Sequence, residues 1–157
     1  MGAAPPFLDA AELARVLPMA AAVDALDEAF GNELPESPQR SHLDVGSGDL
    51  LLMPAWDRRN VGVKLVTAAP GNPARGLPFI HGVYVLFDGA SLAPIALFEA
   101  AALTAVRTAA VSAVATRHLA RREVSTLVIF GAGVQAGSHL DAMLAVRDVD
   151  RVTIVTR

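Results

Sequence analysis

The sequence predicts an α/β chain in two parts, an α+β region followed by the opening strands of a parallel sheet. Three observations predict it. Apolar residues recur at helical spacing near the N-terminus. From Arg40 to Glu99 the apolar runs shorten and are cut by turn residues. A short apolar run from Thr126 to Phe130 then leads straight into a glycine-rich turn and a further helical stretch.

The elements follow in order. Asp9 ahead of Ala10 to Leu17, with Glu12 three residues on, is an Asp variant of the capping box and starts a first helix. Pro18 suits the first turn of a second helix, where its missing N–H costs nothing. Met19, Val23, Leu26 and Phe30 give that helix its core stripe, and Gly31 is placed to stop it. Strands are expected at Ser41–Val45, Leu50–Met53, Val61–Thr67, Phe79–Phe87 and Ala93–Phe98. They are separated by Gly46-Ser47-Gly48, the loop from Pro70 to Pro78, and Asp88-Gly89, and such hairpin links imply a mainly antiparallel sheet. An alanine-rich stretch from Ala100 to Ala120 reads as a connecting helix packed closely against other elements.

Composition narrows the chemistry. The chain has 157 residues, 53% of them hydrophobic, enough for a core of one-domain size. A formal net charge of −3 offers no general attraction to nucleic acid or anionic lipid. With no cysteine, thiol catalysis and zinc–thiolate sites are excluded, and the four histidines are too scattered for a helical metal pair. No membrane-spanning run or signal peptide is visible, so a cytoplasmic protein is the expectation.

The most informative segment is Gly131-Ala132-Gly133-Val134-Gln135-Ala136. It lies between the strand-like run Thr126–Phe130 and a helical stretch to about Arg147, and Arg151–Val155 supplies a second strand-like run. Strand, glycine turn, helix and strand within about 30 residues is the context that a dinucleotide fingerprint requires. Gly131 allows the tight turn, Gly133 lets a pyrophosphate approach the backbone, and Ala136 permits close packing of helix on strand. The helix N-terminus then offers N–H groups to the phosphates. This is the start of a Rossmann dinucleotide-binding domain, with NADP or NAD as cofactor. The end of the second strand carries Thr156-Arg157 and no carboxylate. An arginine beside a hydroxyl suits a 2′-phosphate and favours NADP(H).

Four segments together resemble the ornithine cyclodeaminase/mu-crystallin family: Leu52-Met53-Pro54-Ala55, Val63-Lys64-Leu65-Val66, the helix Leu103 to Ala110 with its Arg107-Thr108-Ala-Ala core, and the glycine turn. The resemblance spans roughly residues 8 to 157. It implies a homodimer with a substrate-binding and dimerisation domain over residues 1–120 and an NAD(P)-binding domain over 121–157. It further implies that Arg40, Lys64 and Arg107 bind a substrate carboxylate and that Thr108 contacts a cofactor phosphate. The residues themselves support these roles unequally. Lys64 is the chain's single lysine against twelve arginines, set in an apolar run, and a compact ammonium differs from a guanidinium fork. Arg107 sits among small apolar residues on a helix expected to be largely buried, where it needs an anionic partner. Arg40 rests mostly on the resemblance.

Two departures from the family pattern direct the functional reading. Family members acting on ornithine are similar in carrying a glutamate two residues before the methionine of the Met-Pro element, and here that position is Leu51. An apolar residue cannot hold a distal ammonium. The expectation is an NAD(P)-dependent reductase of a cyclic or ketimine 2-carboxy imine, with ornithine cyclodeaminase, alanine dehydrogenase or a non-catalytic crystallin-like binding protein as alternatives. The second departure is length. The resemblance places the family's catalytic aspartate in a later half, so the chain reads as a fragment with no assignable catalytic residue and no activity of its own.

Overall fold

The structure, a computed structural model, describes residues 4–156. It divides into two compact units. The first comprises the residues up to Leu13 with Leu34–Leu103, and the second comprises Ala14–Glu33 with Thr104 onward.

The first unit is a six-stranded sheet. Its strands are β1 (Phe7–Leu8), β2 (Ser41–Asp44), β3 (Asp49–Trp56), β4 (Asn60–Ala68), β5 (Ile80–Asp88) and β6 (Pro94–Glu99), in the order β1-β6-β5-β4-β3-β2. All neighbours are antiparallel except β1, which pairs parallel with β6. β1 has only two residues, too few for any alternation in the sequence to reveal. β3 continues past Met53 through Pro54 to Trp56. Trp56 exchanges both backbone hydrogen bonds with Glu36 on the outer side of β3. Pro54, two residues away, therefore directs its N outward as well, beyond the last β2 partner, Leu52, so no ladder bond is lost.

Turn chemistry sets the register. Gly46 (φ 82°) and Gly48 (φ 156°) close the β2–β3 hairpin. The expected Asp88-Gly89 turn is a longer loop, Asp88 to Ala93. There the Asp88 carboxylate accepts from the backbone of Ser91 (2.7 Å) and from its hydroxyl (2.7 Å). α1 (Ala10–Val16) opens on the expected capping box. Glu12 N–H donates to Asp9 Oδ1 at 2.9 Å, and Asp9 N–H donates to Glu12 Oε2 at 3.2 Å.

The second unit contains α2 (Met19–Phe30), most of α3 (Ala100–Leu119), β7 (Thr126–Phe130), α4 (Val134–Leu144) and β8 (Arg151–Val155). The division thus falls elsewhere than the change of composition near residue 120. The reason is packing: Ala22 and Val23 of α2, Ala109, Ala110, Ala113 and Val114 of α3, and Ala142 of α4 form one buried cluster. Small side chains let the helix axes approach closely. α2 is also tied to α3 by charge, with Arg117 donating to Asp24 and Asp27 at 2.8 Å each and His118 Nε2 2.6 Å from Asp27 Oδ1. Gly31 does end α2, yet in the right-handed region (φ −78°), so its stop does not depend on glycine. β7 and β8 pair in parallel. Among the described residues, no helix is long and apolar enough to cross a membrane.

Candidate functional site

Antiparallel pairing aligns the first group of site residues in one row across the sheet. Met53 on β3 is opposite Lys64 on β4, Lys64 is opposite Tyr84 on β5, and Tyr84 is opposite Phe98 on β6. Directly opposed residues share a face of the sheet. β2 ends at the pair Ser41–Leu52, so Arg40 falls next to Met53. Arg40, Met53 and Pro54 line a hollow of about 350 Å³ with Ser37, Pro38 and Gln39. Met53 therefore has Lys64 beside it, one strand spacing of about 4.8 Å away, and shares the hollow with Arg40. Lys64 is half-buried, while Arg40 is exposed.

The other end of the row is aromatic. Tyr84 and Phe98 meet edge to face with ring centroids 6.0 Å apart. Burial, and then the carboxylate of Asp57, push the Tyr84 phenol above its ordinary pKa, so it stays a neutral hydroxyl. Leu51 lies two residues from Met53 on the same face, opposite Val66 and His42. His42 is itself engaged, with Nε2 2.6 Å from Asp49 Oδ1.

The second group belongs to the second unit. β7 runs into Gly131, whose φ of 101° only glycine adopts readily, and its N–H donates to the Val155 carbonyl of β8 at 2.8 Å. Gly133 differs. It caps α4 at φ −82°, an ordinary conformation, and a β-carbon there would meet nothing within 4 Å. Among the described residues neither backbone strain nor internal packing requires glycine at 133, so its backbone is open to approach by a ligand. A cleft of about 430 Å³ runs along β7, Gly131, Gly133, Gln135 and His139. Ala132, Val134 and Gln135 are exposed around the turn, and Thr156 is exposed just beyond β8. Arg157 lies outside the described residues.

Arg107 and Thr108 lie on α3, in the same unit. The buried stripe of α3 is Ala105, Ala109, Ala110, Ala113 and Val114. Arg107 lies off that stripe and is exposed, contrary to the burial that its alanine-rich surroundings suggest. Composition identifies a packed helix but not which residues turn inward. Thr108 is the more telling. Its hydroxyl oxygen is buried and, among the described residues, has no hydrogen-bond partner, not even the carbonyl one turn back on its own helix. A buried hydroxyl left unbonded costs about 1–3 kcal/mol. The open β-carbon position at Gly133, at the N-terminus of α4, fits a phosphate-bearing dinucleotide.

Sequence reasoning did not single out Tyr84, Phe98, Ser112 or His139. The first two are visible only through register, and the last two only through the approach of α3 to α4.

A sheet unit bearing paired cations, with a strand–glycine turn–helix–strand unit of dinucleotide-binding type, defines the class of α/β protein. The chain belongs to the ornithine cyclodeaminase/mu-crystallin family, whose model matches residues 5–157. It is 39% identical over 137 residues to the Delta(1)-pyrroline-2-carboxylate reductase of Bacillus cereus (strain ZK / E33L), covering 85% of this chain and 42% of that relative. The solved Thermococcus litoralis Delta(1)-pyrroline-2-carboxylate reductase in complex with NADH and L-proline is similar, with a TM-score of 0.83 and 33% identity over 96% of this chain and 49% of that one. An archaeal alanine dehydrogenase dimer with bound NAD gives a TM-score of 0.85 and 31% identity over 97% of this chain and 48% of that one. The chain spans less than half the length of the curated relatives it matches.

Proposed function

We propose that the protein carrying this chain is a nicotinamide-dependent imine reductase acting on a cyclic or ketimine 2-carboxy imine of the pyrroline-2-carboxylate class. The observation that carries this reading is the set Arg40, Met53 and Lys64, two cationic residues beside an apolar one on a largely apolar sheet face. Such a pair binds a carboxylate by charge-assisted hydrogen bonds, and Met53 beside them offers an adaptable surface to the carbon skeleton. Leu51 puts no carboxylate on that face two residues before Met53, which favours an uncharged ring over a side chain ending in an ammonium. The similarity to two pyrroline-2-carboxylate reductases points the same way.

The residues divide the work. Lys64 and Arg40 fix the carboxylate, and Arg107 is the third cation that the family resemblance assigns to it. Fixed orientation of the C=N carbon lowers the barrier, because the reacting atoms are aligned in advance. The N–H groups at the start of α4, with Ala132, Val134 and Gln135 around the turn, receive the dinucleotide phosphates, and the Thr108 hydroxyl donates to one of them. When bound, the reduced nicotinamide supplies a hydride for the imine carbon, and a proton completes the amine. Thr156, where a carboxylate would read a ribose 2′-hydroxyl, favours NADP(H), and Arg157 would add to that preference.

A homodimer is part of the same proposal. The sheet face opposite Lys64 carries Leu52, Val63, Leu65, Val83, Val85 and Leu97, all only half-buried. An apolar face of that extent suits a second copy of the chain.

Lys64→Ala is the test. Assayed by oxidation of NADPH and NADH with Delta(1)-pyrroline-2-carboxylate, it should lower kcat/KM by about 30- to 150-fold, the loss of one charge-assisted hydrogen bond, with cofactor affinity unchanged. Unaltered kinetics would remove Lys64 from the site. Turnover of ornithine with NAD⁺ but none of the imine would overturn the reductase reading.

A further inference from the structure

α3 and α4 touch along a stripe of residues spaced four apart. Ser112 Oγ lies 3.1 Å from His139 Nε2, and one turn later the Thr116 hydroxyl donates to Met143 Sδ at 3.4 Å. Equal steps on the two helices mean that they run side by side in the same direction. One turn earlier, Thr108 on α3 therefore stands level with Gln135, the second residue of α4 after the glycine turn.

His139 is held at both ring nitrogens. Nδ1 is 2.7 Å from the Gln135 carbonyl, which can only accept, so Nδ1 carries the proton. With the proton on Nδ1, Nε2 can accept from the Ser112 hydroxyl. The Ser112 hydroxyl has a second acceptor in reach, the Thr108 carbonyl at 3.3 Å. A polar chain thus runs from Gln135 through His139 and Ser112 to the backbone of Thr108, while the Thr108 hydroxyl stays buried and unbonded.

We propose that His139 is a positioning residue for cofactor binding. With Ser112 it locks the start of α4 against α3, so that the N–H groups following the glycine turn are held where a nucleotide phosphate meets the helix N-terminus. This role rests on the nicotinamide-dinucleotide reading of the glycine turn.

Calorimetric titration with NADH and NADPH tests it on the wild type and on His139→Leu, His139→Gln, Ser112→Ala and the double variant His139→Leu/Ser112→Ala. Thermal melts without cofactor accompany each. His139→Leu and Ser112→Ala should each weaken binding about tenfold, as expected for loss of one well-placed hydrogen bond. His139→Gln, whose side-chain carbonyl can still accept from Ser112, should recover part of that loss. The double variant should bind no more weakly than the weaker of the two single variants, because both break the same bond. Additive losses, or lower melting temperatures with unchanged affinity, would make the His139–Ser112 bond merely structural. A wild type that binds neither cofactor would instead remove the dinucleotide reading, and the positioning role with it. Should His139→Leu fail to fold, Ser112→Ala decides the matter.

Discussion

The Tyr84 hydroxyl occupies the space in which a β-carbon on Gly62 would sit, so the ring of one strand lies across the bare backbone of the next. Gly62 is two residues before Lys64 on the same face, and Tyr84 is the cross-strand neighbour of Lys64. The absence of a side chain at Gly62 therefore sets where the tyrosine beside the cation lies. Gly62→Ala should force the ring off its place and cost about 1–3 kcal/mol of stability by overpacking. Urea denaturation of Gly62→Ala, Tyr84→Leu and the double variant provides the check. The double variant should be more stable than the sum of the two single losses allows. Simple additivity would mean that the two residues are not in steric conflict.

Thr108→Val separates a ligand contact from a structural one by sign. In the unliganded protein the substitution removes a buried hydroxyl that bonds to nothing, so the melting temperature should hold or rise. Cofactor affinity should fall about tenfold or more, since a hydrogen bond to a charged phosphate is worth roughly 1.5–3 kcal/mol. A fall in melting temperature with unchanged cofactor affinity would assign Thr108 to the fold alone.

These two residues illustrate what the sequence could convey. The glycine turn was legible because its chemistry is local: strand, turn and helix follow one another, and Gly131 adopts the positive φ that a tight turn needs. The capping box at Asp9 was legible for the same reason. Lys64 stood out as a lone lysine in an apolar run, but its neighbours Met53 and Tyr84 come from strands fixed by register, which no single segment encodes. Arg107 shows the limit most clearly. The small apolar residues around it suggested burial, yet helical phase turns this residue outward and leaves its neighbour Thr108 with the buried oxygen. The pairing of His139 with Ser112 spans 27 residues and depends on two helices meeting, so nothing in either segment announced it.

The clamp between α2 and α3 predicts an acid-sensitive step in stability. Hydrogen bonds from His118 and then from Arg117 hold the Asp27 carboxyl below its ordinary value of 3.8. A carboxyl whose pKa is lowered by folding contributes stability that is fully present above the ordinary value, and loses it as pH falls through the lowered one. Melting temperature should therefore drop more steeply below about pH 4 in the wild type than in Asp27→Asn, which has no such proton to take up. Parallel curves for the two proteins from neutral pH into that range would show that Asp27 contributes nothing.

Arg147 closes the C-terminal end of α3. Its Nη2 donates to the carbonyls of Thr116 at 2.7 Å, Ala120 at 3.1 Å and Arg117 at 3.2 Å, and its Nε donates to that of Arg121 at 3.0 Å. The last carbonyls of a helix have no partners within it and carry the negative end of its dipole, so a planar cation with several donors satisfies both needs at once. Arg147 comes just after α4, so the same side chain ties the segment following the nucleotide-side helix to the end of α3. Arg147→Met keeps the aliphatic stem and removes the donors, and should lower stability by about 1–3 kcal/mol. Arg147→Lys should recover little of it, because one compact ammonium cannot reach carbonyls spread around the helix end. Arg151→Met, at an exposed position on β8, serves as the control for loss of a positive charge and should shift stability by no more than about 0.5 kcal/mol. Urea denaturation midpoints compare the three variants with the wild type. An Arg147→Met midpoint equal to that of Arg151→Met would mean that water satisfies the end of α3 as well as this arginine does.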